Sequence, residues 1–189
     1  LLGISIPERM REIRLKTMME AAQDVCMQEN LQILGGHTEV SDAVSTPVLS
    51  VTATGTGAAP AEKKAAGLDI VVTKYIGMEA AALLAQEKEA QLLARFPRVM
   101  VEKAKGFEKY LSILPEAATA GKSGVSFMQA VREGGIFASL WELAERAGVG
   151  LHIDLMKIPM DQTVVEICNY YDLNPYEILS SGSALLFAK

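Results

Sequence analysis

Gly35-Gly36-His37-Thr38-Glu39-Val40 sets two glycines directly before an imidazole, a hydroxyl and a carboxylate. Paired glycines let a backbone turn tightly or approach a ligand closely. The groups that follow suit a phosphate or a metal, and the same six residues also describe a tight turn with polar side chains facing water. Mg²⁺ takes hard oxygen ligands and usually joins one or two carboxylates to nucleotide phosphates. Glu39, or Asp42 just beyond it, is therefore the metal candidate, and the softer His37 is placed as a hydrogen-bond donor to phosphate.

Two further stretches repeat the logic of glycine at a helix start. Thr73-Lys74-Tyr75-Ile76-Gly77 ends one apolar run with a lysine and opens a helix with a glycine. Helix N-termini carry free N–H groups and partial positive charge, so this is a workable phosphate cradle without the full Walker pattern, or an ordinary strand-to-helix turn. Arg132-Glu133-Gly134-Gly135 precedes the clearest amphipathic helix in the chain. There Gly134 and Gly135 either approach a ligand or let the helix lie close to a sheet. His152 and Asp154 alternate on a third run and invite a proton-transfer reading, but no nucleophile stands near them in sequence. The segment 180–183, Ser-Ser-Gly-Ser, reads as a helix stop or a ligand loop.

The elements that must position these groups follow from periodicity. Pro7 suits a first helical turn, and Leu15, Met18, Met19, Ala22 and Cys26 recur at helical spacing, which predicts a helix over 7–29. Short strands are expected at 31–34 and 47–54. The small-residue stretch 56–67 is the linker. Beyond it the pattern predicts a strand over 69–73, a helix over 78–96, a further helix from Pro97 to about Leu111, and a loop over 115–124. A short helix or strand follows over 125–131. The amphipathic helix carries Ile136, Leu140, Leu143 and Ala147 on one stripe, with Gly148 at its C-cap. A strand over 149–155, a helix capped by Asp161 and running to about Tyr171, a short helix started by Asn174-Pro175, and a terminal strand over 184–188 complete the order. Alternation of strands and helices gives an α/β or α+β domain, a sheet covered by helices.

Composition narrows the function. Half of the 189 residues are hydrophobic and only 6% aromatic, so the core is aliphatic. The formal charge of −5 supplies no basic footprint, so no nucleic-acid partner is expected. Cys26 and Cys168 form no CxxC or Cys/His cluster, which fits two thiols in a reducing cytoplasm rather than a zinc site. No apolar run reaches the roughly 18–20 residues of a membrane span, so no membrane partner is expected either.

Two stretches, Gly35 to Val40 and EGGIFASLWELAERAGVGL from Glu133 to Leu151, carry a family resemblance. Lys157-Ile158-Pro159, Leu173-Asn174-Pro175 and the closing Ser180-Ser181-Gly182-Ser183 follow in the same order. The chain resembles the aminoimidazole-ribonucleotide (AIR) synthetase superfamily, in particular its hydrogenase-maturation branch. The resemblance implies the carboxy-terminal domain of that superfamily over 68–189, preceded over 1–55 by the remnant of an ATP-binding amino-terminal domain. The chain is therefore expected to be a fragment, and one whose ATP binding by itself is weak or undetectable.

The resemblance also implies ATP and Mg²⁺ as cofactors, a homodimer, and a maturation-protein partner. It places phosphate contacts at Gly35, Gly36, His37, Thr38, Thr73, Lys74, Gly77, Arg132, Gly134 and Gly135, and the metal at Glu39 and Asp42. The implied chemistry is activation of an amide or carboxamide oxygen as a phosphate ester. In the hydrogenase branch a C-terminal Cys carries the carboxamide. This chain ends Leu186-Phe187-Ala188-Lys189, and Gln129-Ala130-Val131 stands where the family places an acidic, His- or Thr-containing approach. The alternative reading is a non-catalytic relative that binds a nucleotide or a partner and dimerises.

Overall fold

Leu2, Ile4 and Ile6 alternate with half-buried neighbours, a period of two that makes 2–7 a strand. In the computed structural model, which describes residues 1–56, 65–125 and 127–189, this is β1 (Leu2–Pro7). The chain divides into two compact units, Leu1–Pro60 and Ala61–Lys189. Most of the expected linker, residues 57–64, lies outside the described residues.

In the first unit β1 is central. It pairs in parallel with β2 (Gly36–Ser41) and antiparallel with β3 (Val48–Val51). Three expectations are corrected here. Pro7 closes β1 instead of opening the helix: its carbonyl accepts the Met10 N–H at 2.9 Å, and α1 runs from Glu12 to Gln28. A proline is tolerated as the last residue of a strand, where one missing donor breaks little of the ladder. The stripe Leu15, Met18, Met19, Ala22 and Cys26 is real and half-buried, although no residue of α1 is fully buried. Residues 31–34 form no strand. The chain reverses at Asn30 in a left-handed conformation, Leu31 N–H bonds back to Cys26 O at 2.7 Å, and pairing begins only at Gly36. The expected strand over 47–54 shortens to β3.

The second unit builds a sheet ordered β4-β6-β5, from β4 (Asp69–Val72), β5 (Phe127–Ala130) and β6 (Ala184–Ala188), all antiparallel. Leu185 and Phe187 of β6 pack with Ile76, Val131 and with Ile136, Leu140 and Leu143 of α6 (Gly135–Ala147). A second cluster joins α2 (Met78–Glu87), α3 (Glu89–Leu93), α4 (Arg98–Lys105) and α7 (Gln162–Tyr170) through Met78, Ala85, Leu92, Val101, Phe107, Ile167 and Cys168. The helix expected over 78–96 breaks at Lys88, and Ala85 and Leu92 on either side of the break both join that cluster. The loop expected over 115–124 is α5 (Leu114–Lys122): Pro115 sits in its first turn, where a missing N–H costs nothing. The strand expected over 149–155 does not form, and the Asn174 side chain accepts the Tyr176 N–H at 3.1 Å in a turn instead of starting a helix. Asp161 caps α7 through the Thr163 N–H at 2.8 Å, and Gly148 ends α6 in the left-handed conformation, both as the sequence predicts. Among the described residues the chain thus combines seven α-helices with two small sheets, the α+β class expected.

Candidate functional site

In the first unit, Gly36 is required by the fold. A Cβ there would overlap the Leu2 carbonyl of the neighbouring strand. His37 and Glu39 then share one exposed face of β2, with 3.9 Å between imidazole and carboxylate, and Glu39 accepts a hydrogen bond from the Ser5 hydroxyl at 2.9 Å. One carboxylate oxygen of Glu39 is held and the other is presented. Thr38 and Asp42 are exposed. Among the described residues no three His, Cys, Asp or Glu side chains converge as a metal cluster. Exposed carboxylates suit Mg²⁺ held partly by phosphate oxygens and water, and would not suit a closed structural metal.

In the second unit, the Thr73-to-Gly77 turn is closed by the chain itself. Thr73 exchanges bonds with Ala184: its N–H donates to the carbonyl (2.9 Å) and its hydroxyl accepts the amide (3.0 Å). Lys74 adopts a left-handed φ of 54° and turns its ammonium inward to Tyr110 O (3.0 Å), Ser112 O (2.7 Å) and Glu116 Oε1 (3.0 Å). Those three partners use all three of its protons. The Gly77 N–H donates to the Ser180 hydroxyl at 2.8 Å, and a Cβ on Gly77 would stand 2.6 Å from Val164. As folded, the Lys74 ammonium and the Thr73 and Gly77 N–H groups are spent within the chain.

Ser180 and Ser183 explain the closure. Both are fully buried; Ser180 serves Gly77, and the Ser183 hydroxyl donates to Tyr75 O at 2.6 Å while its carbonyl accepts the Val131 N–H. The 180–184 segment therefore ties the Thr73 turn to the approach of Arg132. Its serine-rich composition was the signal, and a hydroxyl within a buried turn was its meaning.

At the start of α6, Gly134 is exposed and left-handed (φ 75°), and a Cβ there would stand 2.7 Å from the Ala138 Cβ, so the helix start alone already calls for glycine. Gly135 is buried, with φ 64°, and a Cβ there would overlap Tyr176 O and stand 2.8 Å from the Glu177 backbone. The Phe137 N–H donates to the same Tyr176 carbonyl at 3.3 Å. Gly135 is thus a packing glycine. Arg132 is exposed, and no ion-pair partner holds it among the described residues. His152 is exposed, and Asp154 caps a short turn through the Met156 N–H at 3.0 Å. Cys168 is buried, and burial pushes its thiol up to about 11.

Residues 65–189 match the family described as AIR synthase related protein, C-terminal domain. The chain belongs to this family. It is similar to the carbamoyl dehydratase HypE of Bradyrhizobium diazoefficiens, 24% identical over 94% of this chain and 51% of that protein. The chain spans about half the length of the curated relatives it matches. Its fold is that of E. coli HypE, a hydrogenase maturation protein, at a TM-score of 0.74 with 16% identity, over all of this chain and 57% of that one. HypE solved in complex with ATP matches at 0.72, with 16% identity over 100% and 56% of the two chains. HypE within a HypE–HypF complex matches at 0.68, with 18% identity over 100% and 61%. No helix among the described residues is long and apolar enough to cross a membrane.

Proposed function

We propose that this chain belongs to a hydrogenase-maturation-type protein that binds ATP with Mg²⁺ and activates an amide or carboxamide oxygen by phosphorylation. The observation that carries the reading is the Arg132-Gly134 approach of α6. It pairs the one described cation of the 132–135 stretch with an exposed left-handed glycine in a family whose relatives include an ATP complex. On this reading the first unit, taken by itself, offers Gly35, Gly36, His37 and Thr38 to phosphate, and the second unit, taken by itself, offers Arg132 and Gly134. Glu39 and Asp42 hold the metal, which supplies charge neutralisation of the phosphates when bound. Thr73, Lys74, Gly77 and Gly135 shape the second unit instead of touching the nucleotide.

The protein works as a homodimer in the cytoplasm, with a maturation protein as partner. Exposed Val40, Leu49 and Val51 on the first sheet, whose outer strands each have one unpaired edge, supply the self-association surface. Calorimetric titration with Mg-ATP tests the nucleotide assignment. Arg132→Ala is expected to weaken binding by about 1–3 kcal/mol, the worth of a charge-assisted contact, whereas unchanged affinity rejects Arg132 as a phosphate ligand.

A second reading, a nucleotide- or partner-binding relative without turnover, is favoured by the inward commitment of Lys74. Phosphate release from ATP separates the two: turnover supports the first, and binding without turnover the second.

A further inference from the structure

We propose that the second unit seats a small primary amide between the Thr73 hydroxyl and the Glu116 carboxylate. Both residues line a cavity of about 300 Å³, together with Thr119 and Ala120 of α5 and Leu186 of β6. That volume is at the lower end for small-molecule sites, so the occupant is small.

Other hydroxyl protons around the cavity are spent. The Thr119 hydroxyl donates to Pro115 O at 2.9 Å, and the Ser123 hydroxyl donates to Thr119 O at 2.8 Å. Two groups remain open. Glu116 Oε1 receives the Lys74 ammonium at 3.0 Å, but Oε2 is buried and has no hydrogen-bond partner. All three Lys74 protons are already placed, so the lysine does not serve both oxygens. The Thr73 hydroxyl oxygen accepts the Ala184 N–H at 3.0 Å, while its own proton has no acceptor among the described residues. The residues lining one cavity thus leave one acceptor and one donor unfilled.

That pair sets the chemistry of the occupant. A buried acceptor without a donor is costly, and Oε2 is closed to bulk water, so an entering donor makes a bond that solvent does not already supply. The last torsion of a glutamate side chain is broad, so the carboxylate can turn to meet that donor within its rotamer. Lys74 already answers the charge of Glu116, so the missing partner is a neutral N–H and not a counter-ion. A primary amide offers that N–H to Glu116 and its carbonyl to Thr73, and Ala120 and Leu186 receive an apolar body. An ammonium group would leave the Thr73 proton without an acceptor, and a carboxylate would be repelled by Glu116. Taking this amide as the group that the proposed reaction activates rests on the reading above; binding it requires no nucleotide.

The probe is benzamide, titrated to millimolar concentration into the isotopically labelled 189-residue chain without nucleotide or Mg²⁺. N,N-dimethylbenzamide, which has no N–H, and benzoate, which is charged, are the controls. Backbone amide shifts are read by NMR at Thr73, Glu116, Thr119, Ala120 and Leu186. Benzamide should give saturable shifts at these amides, and each control should bind about tenfold more weakly or worse. Two results overturn the proposal. One is no shift of these amides at millimolar benzamide. The other is either control binding as tightly as benzamide, which means that the cavity takes apolar groups alone and that water serves Oε2. Both results leave the Mg-ATP titration at Arg132 untouched, and failure of that titration leaves the benzamide result standing.

Discussion

Gly135→Ala separates a packing glycine from a ligand glycine, and the structure allows its cost to be worked out in two parts. The first part is conformational. Gly135 has φ 64°, and an L-residue held in the left-handed region costs about 1–2 kcal/mol. The second part is steric. The new Cβ would overlap the Tyr176 carbonyl and meet the Glu177 Cα and carbonyl carbon at 2.8 Å, all backbone atoms that cannot rotate away. Overpacking of this kind costs about 1–3 kcal/mol. The sum, about 2–5 kcal/mol, lowers the melting temperature of the second unit by on the order of 10 °C. Gly148→Ala is the control, because Gly148 is also left-handed (φ 63°) but has nothing within 4 Å of the added atom. It carries the conformational part alone. Thermal unfolding followed by circular dichroism without nucleotide should rank wild type, Gly148→Ala and Gly135→Ala in falling order. A Gly135→Ala melt equal to or above that of Gly148→Ala refutes the steric argument, and returns Gly135 to the list of nucleotide contacts.

Four other outcomes follow from the same structure. Lys74→Met removes three donors from the Tyr110–Ser112 turn and leaves Glu116 unpaired, so it should cost about 1–3 kcal/mol in denaturant unfolding while leaving Mg-ATP affinity unchanged. Burial raises the Asp161 carboxyl, but bonds from Lys103 and from Thr163 outweigh it and hold the group below its ordinary value. Its contribution is present above the unfolded carboxylate pKa and is lost as pH falls through the lower folded value; Asp161→Ala should cost about 1–2 kcal/mol at neutral pH and flatten the acid limb of the stability profile. Cys168 titrates near 11 when folded, against an ordinary value of 9.0, so the unfolded chain loses that proton first. Stability should fall as pH rises from about 9 to 11, by about 2–3 kcal/mol, and Cys168→Ala should remove that part of the slope. Light scattering should show self-association that Val40→Lys with Val51→Lys weakens; a concentration-independent monomer for the unsubstituted chain rejects the proposed dimer surface.

Elements whose periodicity agrees with their final surroundings were legible in the sequence. The α6 stripe of Ile136, Leu140 and Leu143, the Asp161 cap and the terminal strand all stand where local pattern puts them. The errors have a common cause in tertiary pairing. Gly3-Ile4-Ser5-Ile6 alternates plainly, yet Pro7 drew attention as a helix opener, and only the pairing partners on either side reveal β1 as central. The 31–34 run is as apolar as a strand, but Gly36 is where a neighbouring backbone fits, so the ladder starts there. Lys74 shows the limit for chemistry. A lysine between strand and helix looks like a phosphate ligand, and its inward turn depends on carbonyls 36 and 38 residues away, which no local window contains. Glu116 was hidden for the same reason, within a segment expected to be loop.

The central claim is that, within the second unit, phosphate meets the Arg132 approach and not the Lys74 turn. Mg-ATP titrated into the isotopically labelled chain, followed by amide chemical shifts, tests this most directly because it maps weak binding residue by residue. The predicted result is saturable, Mg²⁺-dependent shifts at Arg132 and Gly134, with Lys74 and Gly77 unmoved. Shifts centred on Lys74 and Gly77, with Arg132 and Gly134 unmoved, would contradict it.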